Sequence, residues 1–303
     1  MDQPAGRRPE TPMALLPIKR DLTLAHVGSL IIAIGIAVAS VEGLVADPGD
    51  LSSTSSLVLV SQGADATNLI LVVPILLGSL WLARRGSLFG LLLWPGALFY
   101  ALYAYVPYLI GAPFSGLFFV YVALVTLSAF TVIGIVASVD GEEARHRLAG
   151  APARGVGAAL VLIAVAAYAG LTAAAISALG SPAGEVPTRP PAVADWAVGT
   201  PVLLVGGILL WLRLPLGYAA ATGLLLVSGL GGAAFAVAAL LDNLVSGPQT
   251  EPAVIVVHLV ISVISLALLA WFMRGATKEK TFARSGPTPE PPAPPSSGSE
   301  PAK

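Results

Sequence analysis

The sequence predicts an all-α protein, a polytopic transmembrane bundle of about eight spans. Hydrophobic residues form 56% of the 303-residue chain and charged residues only 11%, whereas a soluble domain carries roughly 25% charge. Apolar segments of about 20 residues, the length that crosses a bilayer core of roughly 30 Å, recur along the chain. No segment alternates apolar and polar residues over about ten positions, so the strands of a membrane β-barrel are excluded.

The predicted spans follow from these apolar segments, taken in chain order. They are residues 24–46, 68–83, 86–110, 114–138, 155–179, 194–212, 216–241 and 253–273. The second segment is short, because its sixteen residues reach only about 24 Å at the helical rise. We expect this helix either to start earlier, to thin the bilayer locally or to pack inside the bundle.

The chain divides into two membrane halves and three segments outside the membrane. These are an N-terminal segment 1–23, a first four-helix half 24–138, a loop 139–154, a second four-helix half 155–273 and a tail 274–303. The Pro-rich tail is predicted to be disordered, since it cannot bury enough apolar area to offset its ordering entropy. Residues 19–39 imitate a signal peptide, but the apolar run continues to Ala46 and is long enough to span, so we expect it to be retained.

The distribution of charge predicts the orientation in the membrane. With eight spans, both termini lie on one side, together with fifteen of the 16 Lys and Arg residues. Arg189 is the exception. By the positive-inside rule we expect a multi-pass protein of the inner (plasma) membrane with cytoplasmic N- and C-termini. The opposite side is acidic and holds Glu42, Asp47, Asp50, Asp65, Glu185, Asp195, Asp242 and Glu251.

The two halves share features that suggest an internal repeat of parallel orientation. Residues 74–84 and 201–213 each contain a proline, an apolar run, and a tryptophan followed by an arginine, with the tryptophans 130 residues apart. The Val-Gly pairs at 27–28 and 156–157 are 129 residues apart. Parallel repeats occur in transporters. The alternative is that Trp and Arg are ordinary residues of a membrane interface, and the structures of the two halves distinguish these explanations.

Composition and motifs exclude several classes of function. The net charge of −1 excludes a generally basic nucleic-acid binder. The absence of cysteine excludes disulfides, thiolate nucleophiles and iron–sulfur clusters. No hydrolase, Walker or zinc-protease motif is present, and His26 and His258 start from opposite faces, too far apart to share a haem. We therefore expect no enzyme, no metal site and no cofactor.

Polar residues inside or at the ends of spans are the candidates for ligand binding, because burying them in hydrocarbon is costly. We predict one pocket at the outer ends of the spans, in which Glu42 pairs with His258 and makes binding depend on pH near neutrality. The candidate residues are Glu42, Asn68, Tyr100, Tyr103, Asp242, Asn243 and His258. The alternative is that Glu42 and Asp242 simply lie in the headgroup region.

Four of the seven tyrosines fall within residues 100–108. Tyr105 and Tyr108 are predicted to belong to an outer aromatic belt. Tyr100 and Tyr103 lie deeper and share a helical face at i,i+3 spacing. A phenol in hydrocarbon needs a hydrogen-bond partner, so we expect this pair to face the interior of the bundle. Pro95 in the same segment predicts a kink.

Residues 81–85, 94–100 and 137–140 read WLARR, WPGALFY and ASVD. In these segments the chain resembles a group of prokaryotic multipass membrane proteins of unassigned activity. The resemblance covers about a fifth of the chain and implies no particular chemistry.

Two functions remain as hypotheses. The first is a permease-like or small-molecule- or lipid-binding membrane protein, whose partners are the bilayer and a small ligand. The second is a non-catalytic scaffold or accessory subunit, whose partner is another membrane protein. A hydrated cavity that reaches Tyr100 favours the first, and a solid apolar bundle favours the second.

Overall fold

The computed structural model describes residues 16–45, 62–111, 114–179, 189–248 and 250–284. Expectations for Asp47, Asp50, Glu185 and the tail from 285 to 303 lie outside these residues. Within them the regular structure is entirely helical, and eight helices are long and apolar enough to cross a membrane. The predicted all-α polytopic bundle is therefore confirmed, and the chain is a multi-pass integral membrane protein.

Nine helices are described, eight of them spanning. They are α1 (Thr23–Val45), α2 (Gln62–Arg84), α3 (Leu88–Gly111), α4 (Gly116–Ser138), the short α5 (Gly141–Arg147), α6 (Ala153–Ser177), α7 (Pro190–Trp211), α8 (Pro215–Ser246) and α9 (Pro252–Arg284).

Two predicted boundaries are corrected by the structure. Helix α2 begins at Gln62 rather than at 68, because its first turns carry polar side chains that are buried by protein rather than by lipid. Thr67, for example, is buried and donates a hydrogen bond to the Gly63 carbonyl at 2.9 Å. Helix α9 continues to Arg284, so residues 274–284 of the predicted disordered tail are helical.

Helices α3 and α8 form the centre of the bundle. They are the most buried spans, and their inner faces carry fully buried side chains such as Trp94, Leu98 and Leu225. The peripheral helices bury one side and expose large apolar side chains on the other, including Ile34, Phe130 and Leu162. Such exposed apolar faces are compatible with lipid as the surrounding solvent rather than water.

One end of the bundle, which we call the arginine-rich end, collects the loops that contain most of the described basic residues. Here residues 16–22 pack against the end of α4, with Ile18 bridging Val139 and the Lys19 amide donating to the Ser138 carbonyl at 2.7 Å. Leu16 and Leu22 are buried there. Leu16 and Pro17 of the N-terminal segment are therefore part of the fold. We call the opposite end the acidic end.

Helices α2 and α3 of the first half have features that recur in α7 and α8 of the second half, at a constant spacing of 127 residues. Both α2 and α7 contain a five-residue π-helical segment, Asn68–Val72 and Asp195–Gly199. Each is followed by twelve α-helical residues with proline in the first turn, Val73–Arg84 and Thr200–Trp211. A π-helical segment is a rare insertion that is frequent at functional sites, so its recurrence at the same place indicates a shared structure.

Glycine positions repeat with the same spacing. Gly90 and Gly217 each lie against the preceding helix, where an added Cβ would meet the amides of Ala83 and Leu210. Gly96 of α3 and Gly223 of α8 meet each other, and a Cβ on Gly223 would lie 2.9 Å from the Cα of Gly96. The two halves are thus structural repeats in α2–α3 and α7–α8.

The spacing of 127 residues shows that the pairs of residues suggested by the sequence as equivalent in the two halves are not equivalent. The residue equivalent to Trp211 is Arg84, the last residue of the matching helix, rather than Trp81. Gly28 packs against Thr131 of α4, whereas Gly157 packs against Trp211 of α7. Gly28 and Gly157 therefore occupy different environments.

Candidate functional site at the acidic end

Three carboxylates at the acidic end are buried or partly buried. Asp65 and Asp242 are only 4% and 3% exposed, and Asp195 is partly buried. The described residues contain three ion pairs, Lys19–Asp140, Arg145–Glu142 and Arg147–Glu143, all at the arginine-rich end. Among the Lys and Arg residues whose side chains the structure describes, none pairs with these carboxylates. This arrangement is unusual, because buried charges in proteins are ordinarily paired.

A first polar cluster consists of Ser40, Asp65, Asn68 and Tyr105. The Asn68 amide donates to the Tyr105 hydroxyl at 3.3 Å and to the Ser40 hydroxyl at 3.4 Å. Ser40 and Tyr105 lie 3.3 Å apart, and Ser40 also bonds the Asp65 carboxylate. Ser40 accepts from Asn68, and either hydroxyl can be the donor between Ser40 and Tyr105. The cluster is a connected network across α1, α2 and α3.

Glycine makes room for Asp65 in this cluster. A Cβ at Gly43 would collide with the Asp65 carboxylate. The carboxylate therefore lies directly against the backbone of α1, where a larger residue would displace it.

A second polar cluster is built on Tyr103 and Asp195. The Tyr103 hydroxyl donates to Asp195 Oδ1. Gly199, at the end of the π-helical segment, lies against the Tyr103 ring. The cluster joins α3 to α7, so it connects the two halves of the bundle.

The His258 ring is fixed by two contacts. Its Nδ1 lies 2.8 Å from the Val254 carbonyl, which can only accept, so Nδ1 carries a proton. The ring stacks on Phe235 of α8 with the ring centres 3.9 Å apart.

Three tyrosines pack together beside the first cluster. Tyr121 of α4 stacks on Tyr105 at 5.7 Å and contacts Tyr108 at 4.8 Å, measured between ring centres. Tyr105 is only 1% exposed. The prediction that Tyr105 belongs to an outer aromatic belt is therefore wrong, because its hydroxyl is needed inside the first cluster.

The structure divides the predicted site residues among separate environments. Asn68 belongs to the first cluster and Tyr103 to the second, while His258 contacts Val254 and Phe235 instead. Tyr100 is buried beside Tyr103, with the ring centres 6.5 Å apart. The prediction that Tyr100 and Tyr103 face the interior is thus confirmed for Tyr100, while Tyr103 is partly buried and bonded to protein.

The remaining predicted residues lie elsewhere. Glu42 is exposed on α1 and, among the described residues, forms no hydrogen bond or ion pair with His258. The predicted Glu42–His258 pair is therefore wrong. Asn243 exchanges hydrogen bonds with the backbone of Thr250 at 2.7 and 2.8 Å and shapes the turn between α8 and α9. Asp242 is buried, and its Oδ1 has no hydrogen-bond partner among the described atoms.

Sequence reasoning missed Ser40, Asp65, Asp195 and Tyr105 as members of these clusters. Asp65 and Asp195 were assigned to the solvent on the acidic side. The repeat provides a signal that could have found one of them, because Asn68 and Asp195 each precede a proline, Pro74 or Pro201, by six residues.

The described residues offer little for metal or haem binding. They contain no group of three or more His, Asp or Glu side chains arranged to hold a metal ion. His26 lies at the arginine-rich end, bonded to the Leu22 carbonyl and packed on Trp94, whereas His258 lies near the acidic end. The two histidines therefore lie in different surroundings.

Two cavities are described. The larger, about 690 Å³, is a groove on α1 lined by Ala37, Val38, Val41, Glu42 and Val45. The smaller, about 290 Å³, lies at the arginine-rich end. Neither cavity is lined by Tyr100.

In comparisons with known proteins, no family model, no curated protein and no solved structure matches this chain. The resemblance to prokaryotic multipass membrane proteins therefore stays a prediction.

Proposed function

We propose that the protein is a permease-like membrane protein that binds a small cationic ligand, with Asp65 and Asp195 as its anionic partners. The observation that carries the proposal is the pair of carboxylates on the matching helices α2 and α7, which pair with none of the Lys and Arg residues whose side chains the structure describes. A carboxylate in the membrane is costly to leave uncompensated. A bound cation, or a proton in its place, removes that cost.

The helices that carry these carboxylates support the proposal. Each contains a π-helical segment, at Asn68–Val72 or Asp195–Gly199. Interrupted helices at matching positions of two repeats are typical of binding sites in secondary transporters. The tyrosines of α3 form hydrogen bonds with both segments, Tyr105 with Asn68 and Tyr103 with Asp195. Both π-helical segments are therefore connected to the same central helix.

Thermal unfolding in detergent tests the cationic ligand. We expect a member of a panel of small amines to raise the melting temperature of the wild-type protein, while neutral compounds of the same size do not. A ligand at ten times its Kd stabilises by about 1.4 kcal/mol. The increase should vanish in Asp195→Asn and persist in Glu251→Gln, an exposed carboxylate at the same end. If no amine stabilises the protein, or if Asp195→Asn responds like the wild type, the proposal is wrong.

A second candidate function is a non-catalytic scaffold or accessory subunit. It is favoured by the close contact of Gly96 with Gly223 at the centre of the bundle and by the fact that neither described cavity is lined by Tyr100. Cross-linking in native membranes followed by mass spectrometry tests it. A scaffold yields one recurrent membrane-protein partner and no response to amines.

We further propose that the arginine-rich end faces the cytoplasm of the inner membrane, by the positive-inside rule. Reporter fusions after Lys303 and within α5 should read as cytoplasmic. A fusion within residues 50–60 should read as external. The opposite pattern at any of these positions would overturn the orientation.

A further inference from the structure

We propose that an anionic phospholipid binds in the seam between α6 and α9 at the arginine-rich end. At the foot of this seam, between the loop that precedes α6 and the last turns of α9, lies the smaller cavity, of about 290 Å³, which is lined by Gly150, Pro152, Trp271, Arg274 and Gly275. This site is separate from the polar clusters of the acidic end and does not depend on the function proposed for them.

The comparison of the two halves shows that α6 and α9 pack less closely than their counterparts α1 and α4. In the first half, α1 packs on α4 through Gly28 against Thr131 and through Gly35 against Leu124. In the second half, α6 packs instead on α7, with Gly157 against the backbone of Trp211. Helix α6 therefore makes few contacts with α9, and we call the surface between these two helices the cleft.

Beyond the cavity, the surfaces that α6 and α9 leave exposed are apolar. The buried residues of α6 all lie within its first twelve positions, Ala153 to Ala164. Beyond them α6 exposes residues such as Val165, and α9 exposes Val260 and Val263. A lipid acyl chain fits such surfaces, because it is as apolar as the side chains that it would contact.

The mouth of the cleft is basic and aromatic. Arg274 lines the cavity, and Arg154 is exposed in the first turn of α6. The Trp271 ring lies over Gly155, whose added Cβ would be 3.9 Å from the indole. Arginine recognises phosphate through paired hydrogen bonds, and tryptophan favours the boundary between hydrocarbon and water. Basic pockets between spans are a recognised form of anionic headgroup site.

Native mass spectrometry of the full-length protein tests the proposal. The protein in detergent is incubated with equal amounts of phosphatidylglycerol and phosphatidylcholine, and the bound lipids are counted. We expect preferential binding of phosphatidylglycerol. Arg274→Gln should weaken it about tenfold, the effect of losing one charge-assisted hydrogen bond, and Trp271→Ala should weaken binding of both lipids.

Matched variants separate this site from general lipid contact. Trp81→Ala with Arg85→Gln removes another exposed Trp–Arg pair, in which the guanidinium lies 3.8 Å from the ring centre, and should leave the preference unchanged. Gly155→Leu should fill the cleft and reduce binding, while Gly170→Leu, on the same helix but facing open space, should not. Equal binding of the two lipids, an unchanged preference in Arg274→Gln, or a polypeptide bound in place of lipid would overturn the proposal.

Discussion

At the scale of single residues, Arg213 has the backbone conformation that glycine has in the other half. Its φ is 58°, and the φ of Gly86, 127 residues earlier, is 79°. Both residues lie in the tight turn that links the two central helices of each half. A left-handed conformation costs a residue with a Cβ roughly 1–2 kcal/mol but costs glycine little. The second half therefore contains strain that the first half avoids.

We predict that Arg213→Gly stabilises the protein by about 1 kcal/mol, because the strain at this position is released. The melting temperature in detergent should rise. Leu212→Gly is the control, since Leu212 has a φ of −75° and glycine there only adds freedom to the unfolded chain. A lower melting temperature in Arg213→Gly would contradict this prediction. It would show that the contacts of the arginine side chain stabilise the protein more than the left-handed backbone conformation destabilises it.

At the scale of elements, the hydropathy of the sequence predicts all eight spans but not which polar residues they bury. The first turns of α2 contain Asp65 and Thr67, which hydropathy assigns to the aqueous side. They are nonetheless buried, Asp65 against the backbone of α1 at Gly43. Whether a polar residue at a helix end meets protein or water depends on tertiary packing, which hydropathy does not measure.

The partners within the clusters are equally hard to predict from sequence. Tyr103 and Tyr105 are two residues apart in α3, yet they bond to different halves, Tyr103 to Asp195 and Tyr105 to Asn68. This division depends on the rotation of α3 about its axis and on its place between α2 and α7. The spacing of the tyrosines indicates a buried helix but cannot identify the two neighbours.

The short helix α5 provides a prediction about pH. Asp140 caps its N-terminus by accepting from the Glu142 and Glu143 amides at 3.1 and 3.3 Å, and it pairs with Lys19 at 3.6 Å. The Glu143 amide first, and then the Lys19 charge, hold the pKa of Asp140 below its ordinary value of 3.8. A lowered pKa in the folded state means that this stabilisation is complete above pH 3.8 and is lost as the pH falls through the folded value.

We predict that Asp140→Ala lowers the melting temperature at pH 6 and that its melting temperature decreases less than that of the wild type below pH 4. Melting curves from pH 6 to pH 3 measure both effects. Glu251→Gln serves as the control, because this exposed carboxylate lies at the other end of the bundle. Parallel curves for Asp140→Ala and the wild type would contradict the assigned role of Asp140.

At the scale of the whole molecule, the contact between Gly96 and Gly223 holds the two halves together. We predict that Gly223→Val destabilises the protein by about 1–3 kcal/mol, the usual cost of overpacking a close contact. Gly231→Val, on the same helix α8 but with open space around its Cα, should change stability much less. Melting temperatures of the two variants make the comparison. If Gly223→Val and Gly231→Val lowered the melting temperature equally, α3 and α8 would be able to move apart at the Gly96–Gly223 contact at little cost.

The reciprocity of the Gly96–Gly223 contact bears on the origin of the fold. In a two-fold symmetric dimer, a residue on the axis meets its own copy in the partner subunit. Here a glycine meets its counterpart in the other half, so the chain has the form of two subunits fused through α5. Fusion frees the two copies of a position to diverge. Asn68 and Asp195 begin matching π-helical segments, so the same position carries an amide in one half and a carboxylate in the other.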